Sequence, residues 1–183
     1  MDTTLREMFR PVDHTLRDWQ HTLVGDGVAN SSVGETLQFM KGIGYRLESV
    51  RTFMMECTLP SKYGKCHTNW LRDSRLKLHT LTSFSGIILT IVPILFLYMQ
   101  AFCMDDDRLG AHCELIKNLH HLVGILSTGA DKPMQYIRTL SDLVYKIHRK
   151  FVELSFKLKP KLHHMHHIID SIIYAGKCIS CFV

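Results

Sequence analysis

An uncharged run in the middle of the chain constrains its fold more than any other feature. Residues 80–104 carry no formal charge and include GIILTIVPILFLYMQAF, which lies between a basic stretch and three aspartates. The densely apolar part, residues 87–102, is about 16 residues long, short of the roughly 20 that a membrane-spanning helix needs. It also contains Pro93, whose missing amide donor breaks one helical hydrogen bond. The run therefore predicts a core helix bent near Pro93, with a single membrane span as the alternative.

Other segments have the spacing of amphipathic helices. Ser32 and Glu35 form a capping-box pattern, which predicts a helix that begins near Ser31 or Ser32 and ends at Gly42 or Gly44. The apolar residues that follow recur at three- and four-residue intervals, which predicts helices over residues 45–57, 108–127, 133–157 and 161–175. No run of alternating apolar residues indicates a full sheet. A chain of 183 residues that is 46% hydrophobic is long enough for one domain, and we predict a mainly α fold, a helical bundle.

The positive charge of the chain is concentrated in one third of it. The net charge is +5, and residues 132–161 contain only two acids, Asp142 and Glu153. Such a cluster is typical of a solvated helix face, and a surface that faces an anionic partner is the alternative. The basic residues of this face include Arg138, Lys146, Arg149, Lys150 and Lys157.

The cysteines and the first residues predict the compartment. Six cysteines stand at irregular spacings, and the opening MDTTLREMFR has no apolar segment like a secretory signal. We therefore expect a reduced environment and a nuclear or cytoplasmic protein.

The stretch LKPKLHHMHHIID contains four histidines, two of which belong to a candidate metal site. His163 and His167 are four residues apart, so on a helix they share one face. Cys178 and Cys181 follow shortly after and would complete a tetrahedral zinc site if the chain folded back. The alternative is that these histidines are packed or hydrogen-bonded and that the cysteines are small apolar side chains.

Asp18 is the other candidate metal ligand. It stands directly before Trp19, with His21 three positions on, near the start of a helical region. A carboxylate there could hold Mg²⁺, which prefers oxygen ligands. The alternative is that Asp18 caps a helix or lies on the surface.

Taken in order, several segments resemble one family, the cut-and-paste DNA transposases of the Plavaka and KDZ type. The piece RDWQHTLVGDGVANSSVGETL resembles the D-W-M-H block of these enzymes, and FMMECTLP resembles the helix and proline that follow it. The run LTSFSGIILTIVPILFLYM resembles their S-E-(apolar)-P core helix, although Gly86 or Ile87 stands where the family has a glutamate. LKPKLHHMHHIIDSIIYAGKCISCFV is similar to their K-P-K-x-H-x-x-x-H segment, with His164 and His166 where the family has aromatic or aliphatic residues.

The resemblance implies the helical part of a ribonuclease-H-like core with a DDE triad. It implies a strand or loop block with D-W-x-H over residues 1–30, a helical insertion over residues 31–157, and over residues 158–183 a block that leads to a catalytic helix. The last catalytic glutamate is expected just after Val183 and the first aspartate before the chain. The chain would thus be one partial domain, inactive by itself, that needs the rest of a transposase chain.

The family pattern also assigns roles to residues. It places the second triad acid, a ligand of Mg²⁺ or Mn²⁺, at Asp18. It places the neighbours of the active site at His21, Lys159, Lys161, His163 and His167. In such an enzyme two metal ions held by three carboxylates drive DNA strand cleavage and transfer. The resemblance also implies that the basic face contacts the phosphate backbone of DNA through Arg138, Lys146, Arg149, Lys150 and Lys157. Two other classes stay open: a non-catalytic helical module that binds DNA, and a small single-span membrane protein.

Overall fold

The computed structural model describes residues 18–24, 27–58, 68–77, 79–81, 85–128 and 133–175. These residues form seven α-helices, which we number in chain order. Their bounds are α1 Trp19–Leu23, α2 Val28–Gly42, α3 Leu47–Glu56, α4 Ser85–Phe102, α5 Gly110–Thr128, α6 Ile137–Glu153 and α7 Pro160–Ala175. The prediction of a mainly α fold is confirmed.

Two very short strands, β1 (Leu76–Lys77) and β2 (Thr80–Leu81), form an antiparallel hairpin in which Leu76 pairs with Leu81. Short 3₁₀ turns cover Thr68–Leu71 and Asp73–Arg75 before it, Asp107–Leu109 before α5 and Pro133–Tyr136 before α6. The hairpin packs against α2.

The uncharged run forms α4 and lies in the core, as predicted. Ile88, Ile91, Val92, Leu95 and Met99 are almost completely buried, and they recur at the three- and four-residue spacing of one helix face. The helix continues through Pro93, and the bend expected there stays a prediction. No helix in the described ranges is both long and apolar enough to cross a membrane.

The helices pack largely in chain order, and the first one closes the bundle. α4 packs against α5, α5 against α6, and α6 against α7. α7 then packs against α1, so the two ends of the described chain meet. Trp19 and Leu23 of α1 and Ile168 and Ile172 of α7 belong to the same buried cluster.

The predicted start of α2 is wrong. The helix begins at Val28 rather than near Ser31 or Ser32, and the Ser32 hydroxyl donates to the Val28 carbonyl inside it. Glu35 does not close a capping box, because its carboxylate lies 2.6 Å from Nδ1 of His79 in the turn of the hairpin. Burial of the first turn against the bundle extends the helix past the local capping pattern.

The other helix predictions are confirmed to within a few residues at their ends, except that residues 133–136 form a 3₁₀ turn before α6. Residues 19–23 and 28–30, expected in a strand or loop block, are helical instead. Three cysteines lie in described residues, and Cys57, Cys103 and Cys113 are free thiols. The nuclear or cytoplasmic compartment stays a prediction.

Gly34 allows α2 to approach the hairpin. A Cβ at this position would lie 2.4 Å from the carbonyl carbon of Thr80, whereas a Cβ at Gly42 of the same helix would meet nothing within 4 Å. We expect Gly34→Ala to lower the free energy of unfolding by about 1–3 kcal/mol, because backbone must move to admit the methyl group. Gly42→Ala should leave stability unchanged or raise it by up to about 1 kcal/mol. Urea unfolding of both variants measures the difference, and equal stabilities would contradict the packing of α2 on the hairpin.

Candidate functional site

A groove between α6 and α7 contains two of the candidate residues, Arg149 and His163. Its volume is about 660 Å³, and one wall comes from the outer face of α6 and the other from the first half of α7. Its lining consists of Tyr145, His148, Arg149, Val152, Glu153, His163 and His166.

The core face of α6 determines which of its side chains reach the groove. Leu143, Ile147 and Phe151 are buried at a spacing of four residues. Tyr145, Arg149 and the neighbouring residues therefore point away from the core, and the Tyr145 side chain is 58% exposed. The Arg149 guanidinium lies over the Tyr145 ring, 5.9 Å from its centroid.

Two histidines connect the helices inside the groove. Nδ1 of His148 lies 2.8 Å from Nε2 of His166, so one ring nitrogen donates a hydrogen bond and the other accepts it. Burial lowers the pKa of His166, and the neighbouring His148, His163 and His167 lower it further. The neutral form of His166 is therefore favoured in the folded protein, which preserves one acceptor for this bond.

A second pair of histidines lies on the exposed side of α7. Nε2 of His163 and Nε2 of His167 are 3.1 Å apart, as expected for residues one helical turn apart. Oδ2 of Asp170 lies 3.2 Å from Nδ1 of His167. The prediction that His163 and His167 share a face is confirmed.

Two lysines of the predicted basic face form ion pairs with neighbouring carboxylates. Lys146 lies 2.6 Å from the carboxylate of Asp142, one turn earlier on α6. Lys150 lies between the carboxylates of Glu114 on α5 and Glu153, and its side chain is only 17% exposed. The hydrogen bond that Lys150 donates to Glu114, and then the one that it donates to Glu153, raise the pKa of Lys150. Both lysines are thus paired with carboxylates, and their contact with DNA stays a prediction.

The other predicted contacts remain available. Arg138, Arg149 and Lys157 are exposed, and none of them forms an ion pair within the part of the chain that the structure describes. Lys159 and Lys161 flank Pro160 at the start of α7, where the Leu162 amide donates to the Lys159 carbonyl. The lysines at 157, 159 and 161 therefore surround one helix start.

Asp18 caps α1. Its carboxylate accepts a hydrogen bond of 2.9 Å from the backbone amide of Gln20, which satisfies one free donor of the first turn. Trp19 beside it is buried, and His21 is exposed on the same helix. The capping interpretation of Asp18 is confirmed, and its role as a Mg²⁺ ligand stays a prediction.

Two of the four predicted zinc ligands, His163 and His167, lie within the described residues. Cys178 and Cys181 lie outside the described residues, so their place relative to His163 and His167 stays a prediction. Across the described ranges, no group of three or more His, Cys, Asp or Glu side chains converges on a point where a metal ion could sit.

Sequence reasoning missed three members of the site. His148 and Tyr145 were not singled out for a shared site, although their spacing places them just off the apolar stripe of α6. Asp170 was missed too, although it stands three residues after His167, within reach on a helix. Helical spacing alone would have identified Asp170, whereas the His148–His166 contact depends on how α6 and α7 pack.

Comparisons with protein-family models, curated proteins and solved structures found no match to this chain. The likeness to transposases therefore depends on the quoted motifs alone.

His112 makes the fold sensitive to acid. Its ring is 2% exposed, is stacked on Phe39 at 4.4 Å and lies 3.3 Å from the Thr36 hydroxyl. Burial lowers its pKa from the ordinary 6.5 to about 4. The unfolded chain therefore takes up the proton first, and the stability that the neutral ring provides above pH 6.5 is lost as the pH falls towards 4.

We expect His112→Gln to flatten the fall of unfolding free energy between pH 6.5 and pH 4, by up to about 1.4 kcal/mol per pH unit. Urea unfolding at several pH values measures this slope. His21→Gln, at an exposed histidine, is the control and should leave the slope unchanged. If the unfolding free energy of the His112→Gln variant fell with pH as steeply as that of the unchanged chain, another group would be responsible for the pH dependence.

The cap at Asp18 can be tested in the same way. We expect Asp18→Ala to lower the free energy of unfolding by about 1 kcal/mol, because the Gln20 amide loses its acceptor. Asp18→Asn should cost less, because asparagine is an equally good N-cap. Equal losses in the two variants, measured by urea unfolding, would show that the negative charge of Asp18 matters more than its cap.

Proposed function

We propose that this chain is a helical DNA-binding unit of transposase ancestry that is not catalytic by itself. Its binding surface is the basic corner, which we define as Arg149, Lys157, Lys159 and Lys161. The bundle corresponds, in this proposal, to the helical insertion of a ribonuclease-H-like core.

The charge pattern of the basic corner carries the proposal. Residues 154–169 contain three lysines and four histidines and no aspartate or glutamate. Helix starts usually attract acidic residues, because the free backbone amides and the helix dipole make this end positive. The first turn of α7 has no acid, so the dipole of this helix start and the sequence around it are both positive. A phosphate group would be attracted by both and would accept hydrogen bonds from lysine side chains.

The shape of the groove supports contact with the phosphate backbone of DNA rather than recognition of a small ligand. It is a wide, shallow surface between two helices, with Arg149 and Tyr145 exposed on one wall. Charged side chains on such a surface can follow a phosphate backbone, a contact that is independent of sequence. The side chains of Arg149 and Lys157 form no ion pair with a carboxylate of the described residues.

Metal-dependent strand transfer by a longer assembly is the second candidate function. One observation favours it: α1, which carries the D-W-x-H block, packs against α7, which carries the K-P-K-x-H-x-x-x-H block. The two segments that would flank the insertion in a transposase are thus neighbours. Asp18 alone could not hold two Mg²⁺ ions, so the remaining carboxylates would have to come from other polypeptide.

Duplex binding at several salt concentrations tests the proposal. We expect the variant K157Q/K159Q/K161Q to bind duplex DNA roughly tenfold or more weakly than the unchanged chain at 0.1 M salt. The slope of log K against log salt should fall by up to about 0.9 for each phosphate that the variant no longer neutralises. Fluorescence anisotropy with a labelled duplex measures both quantities.

A matched control removes the same charge elsewhere. The variant R46Q/R72Q/K117Q changes three exposed basic residues outside the basic corner and leaves the same net charge as the lysine variant. It should keep most of the affinity. Equal losses in both variants would overturn the assignment of the surface. Binding that is abolished by removing Mg²⁺ would favour the second candidate function instead.

A further inference from the structure

We propose that His163 and His167 form a two-imidazole site for a divalent transition-metal ion such as Zn²⁺ or Ni²⁺, with Asp170 positioning His167. This site does not depend on DNA binding, and it needs neither Asp18 nor the cysteines.

The separation of the two rings matches that of two ligands on one ion. Their Nε2 atoms are 3.1 Å apart, and the ring planes are nearly perpendicular, at 85°. Two nitrogens that each lie about 2.05 Å from a tetrahedral zinc ion are roughly 3.3 Å apart. An ion could therefore enter with only a small rotation of the side chains. Histidines at this spacing on one helix face are a known chelating pair.

Asp170 prepares His167 for this role. Its carboxylate lies 3.2 Å from Nδ1, so it accepts the N–H of that nitrogen and leaves the lone pair on Nε2, facing His163. A carboxylate behind a ligating histidine selects the tautomer, orients the ring and increases its basicity. All three residues belong to one helix, so their arrangement does not depend on the packing of distant segments.

The donors and their exposure identify the class of ion. Imidazole nitrogen suits zinc, nickel and copper, whereas magnesium and calcium prefer oxygen ligands. His163 is exposed and the His167 side chain is 43% exposed, so an ion can enter from solvent. Because no third donor of the described chain converges here, water or a partner would fill the remaining positions. A site with open positions is typical of exchangeable or catalytic ions rather than structural ones.

The nearby pair His148–His166 forms a different contact. Its nitrogens are 2.8 Å apart and connect α6 to α7 inside the groove. It would have to give up a hydrogen bond that connects two helices to bind an ion, whereas His163 and His167 would give up only a hydrogen bond within one helix. The α7 pair is therefore the better chelate.

Titration with Zn²⁺ and Ni²⁺ in the absence of DNA tests the site. The full chain with C178S/C181S provides the background, so that these two thiols do not contribute. We expect one ion per chain. H163Q or H167Q should weaken binding by more than the roughly 10- to 100-fold that loss of an outer partner costs. D170N should weaken it by about tenfold with unchanged stoichiometry, and D170E should restore part of the loss. Calorimetry measures affinity and stoichiometry.

Two controls make the outcome decisive. H121Q removes an exposed histidine of α5 and should leave the affinity unchanged. H148Q should change the affinity little, and circular dichroism shows whether each variant keeps its helices. The assignment would be overturned if the C178S/C181S chain without further changes bound no ion. It would also be overturned if H148Q abolished binding and H163Q did not. Because DNA is absent from the titration, failure of this site leaves the proposed DNA contact untouched.

Discussion

Burial of α4 is the constraint on which the rest of the structure depends. Its apolar face, which includes Ile91, Leu95 and Met99, lies inside the bundle and packs against α5. Each such side chain contributes roughly 1.5–3 kcal/mol when it is removed from water. α5 in turn packs on α6, and α6 on α7. The groove and the basic corner thus lie at the far end of a series of contacts that begins at α4.

The positions of the buried residues along α6 and α7 determine which candidate side chains face solvent. On α6, Ile147 and Phe151 turn inward, which leaves Tyr145 and Arg149 outward and places His148 at the border with α7. On α7, Met165, Ile168 and Ile169 are buried, so His163, His167 and Asp170 fall on the solvent side. The arrangement of His163 with His167 and that of His148 with His166 are therefore consequences of where the apolar residues lie.

Charge counting alone does not show which basic side chains are paired with carboxylates. Lys146 and Lys150 belong to a run of basic residues, but Asp142, Glu114 and Glu153 neutralise them. Glu114 lies on α5, and its contact with Lys150 exists only because α5 and α6 are neighbours. The sequence around Pro160 differs in its composition, because no acidic residue occurs over residues 154–169. We therefore place most of the proposed DNA contact at the start of α7 rather than in the middle of α6.

The amino-acid sequence by itself determined the helical character of the chain, the core position of the uncharged run and the shared face of His163 and His167. These properties depend on spacings within about two helical turns, so they are local. Only the tertiary structure decided that α2 begins at Val28, that His148 meets His166, that Lys150 is neutralised by Glu114, and that α1 packs against α7. Each of these depends on which residues distant in the chain become neighbours, and that is decided by how the helices bury their apolar faces together.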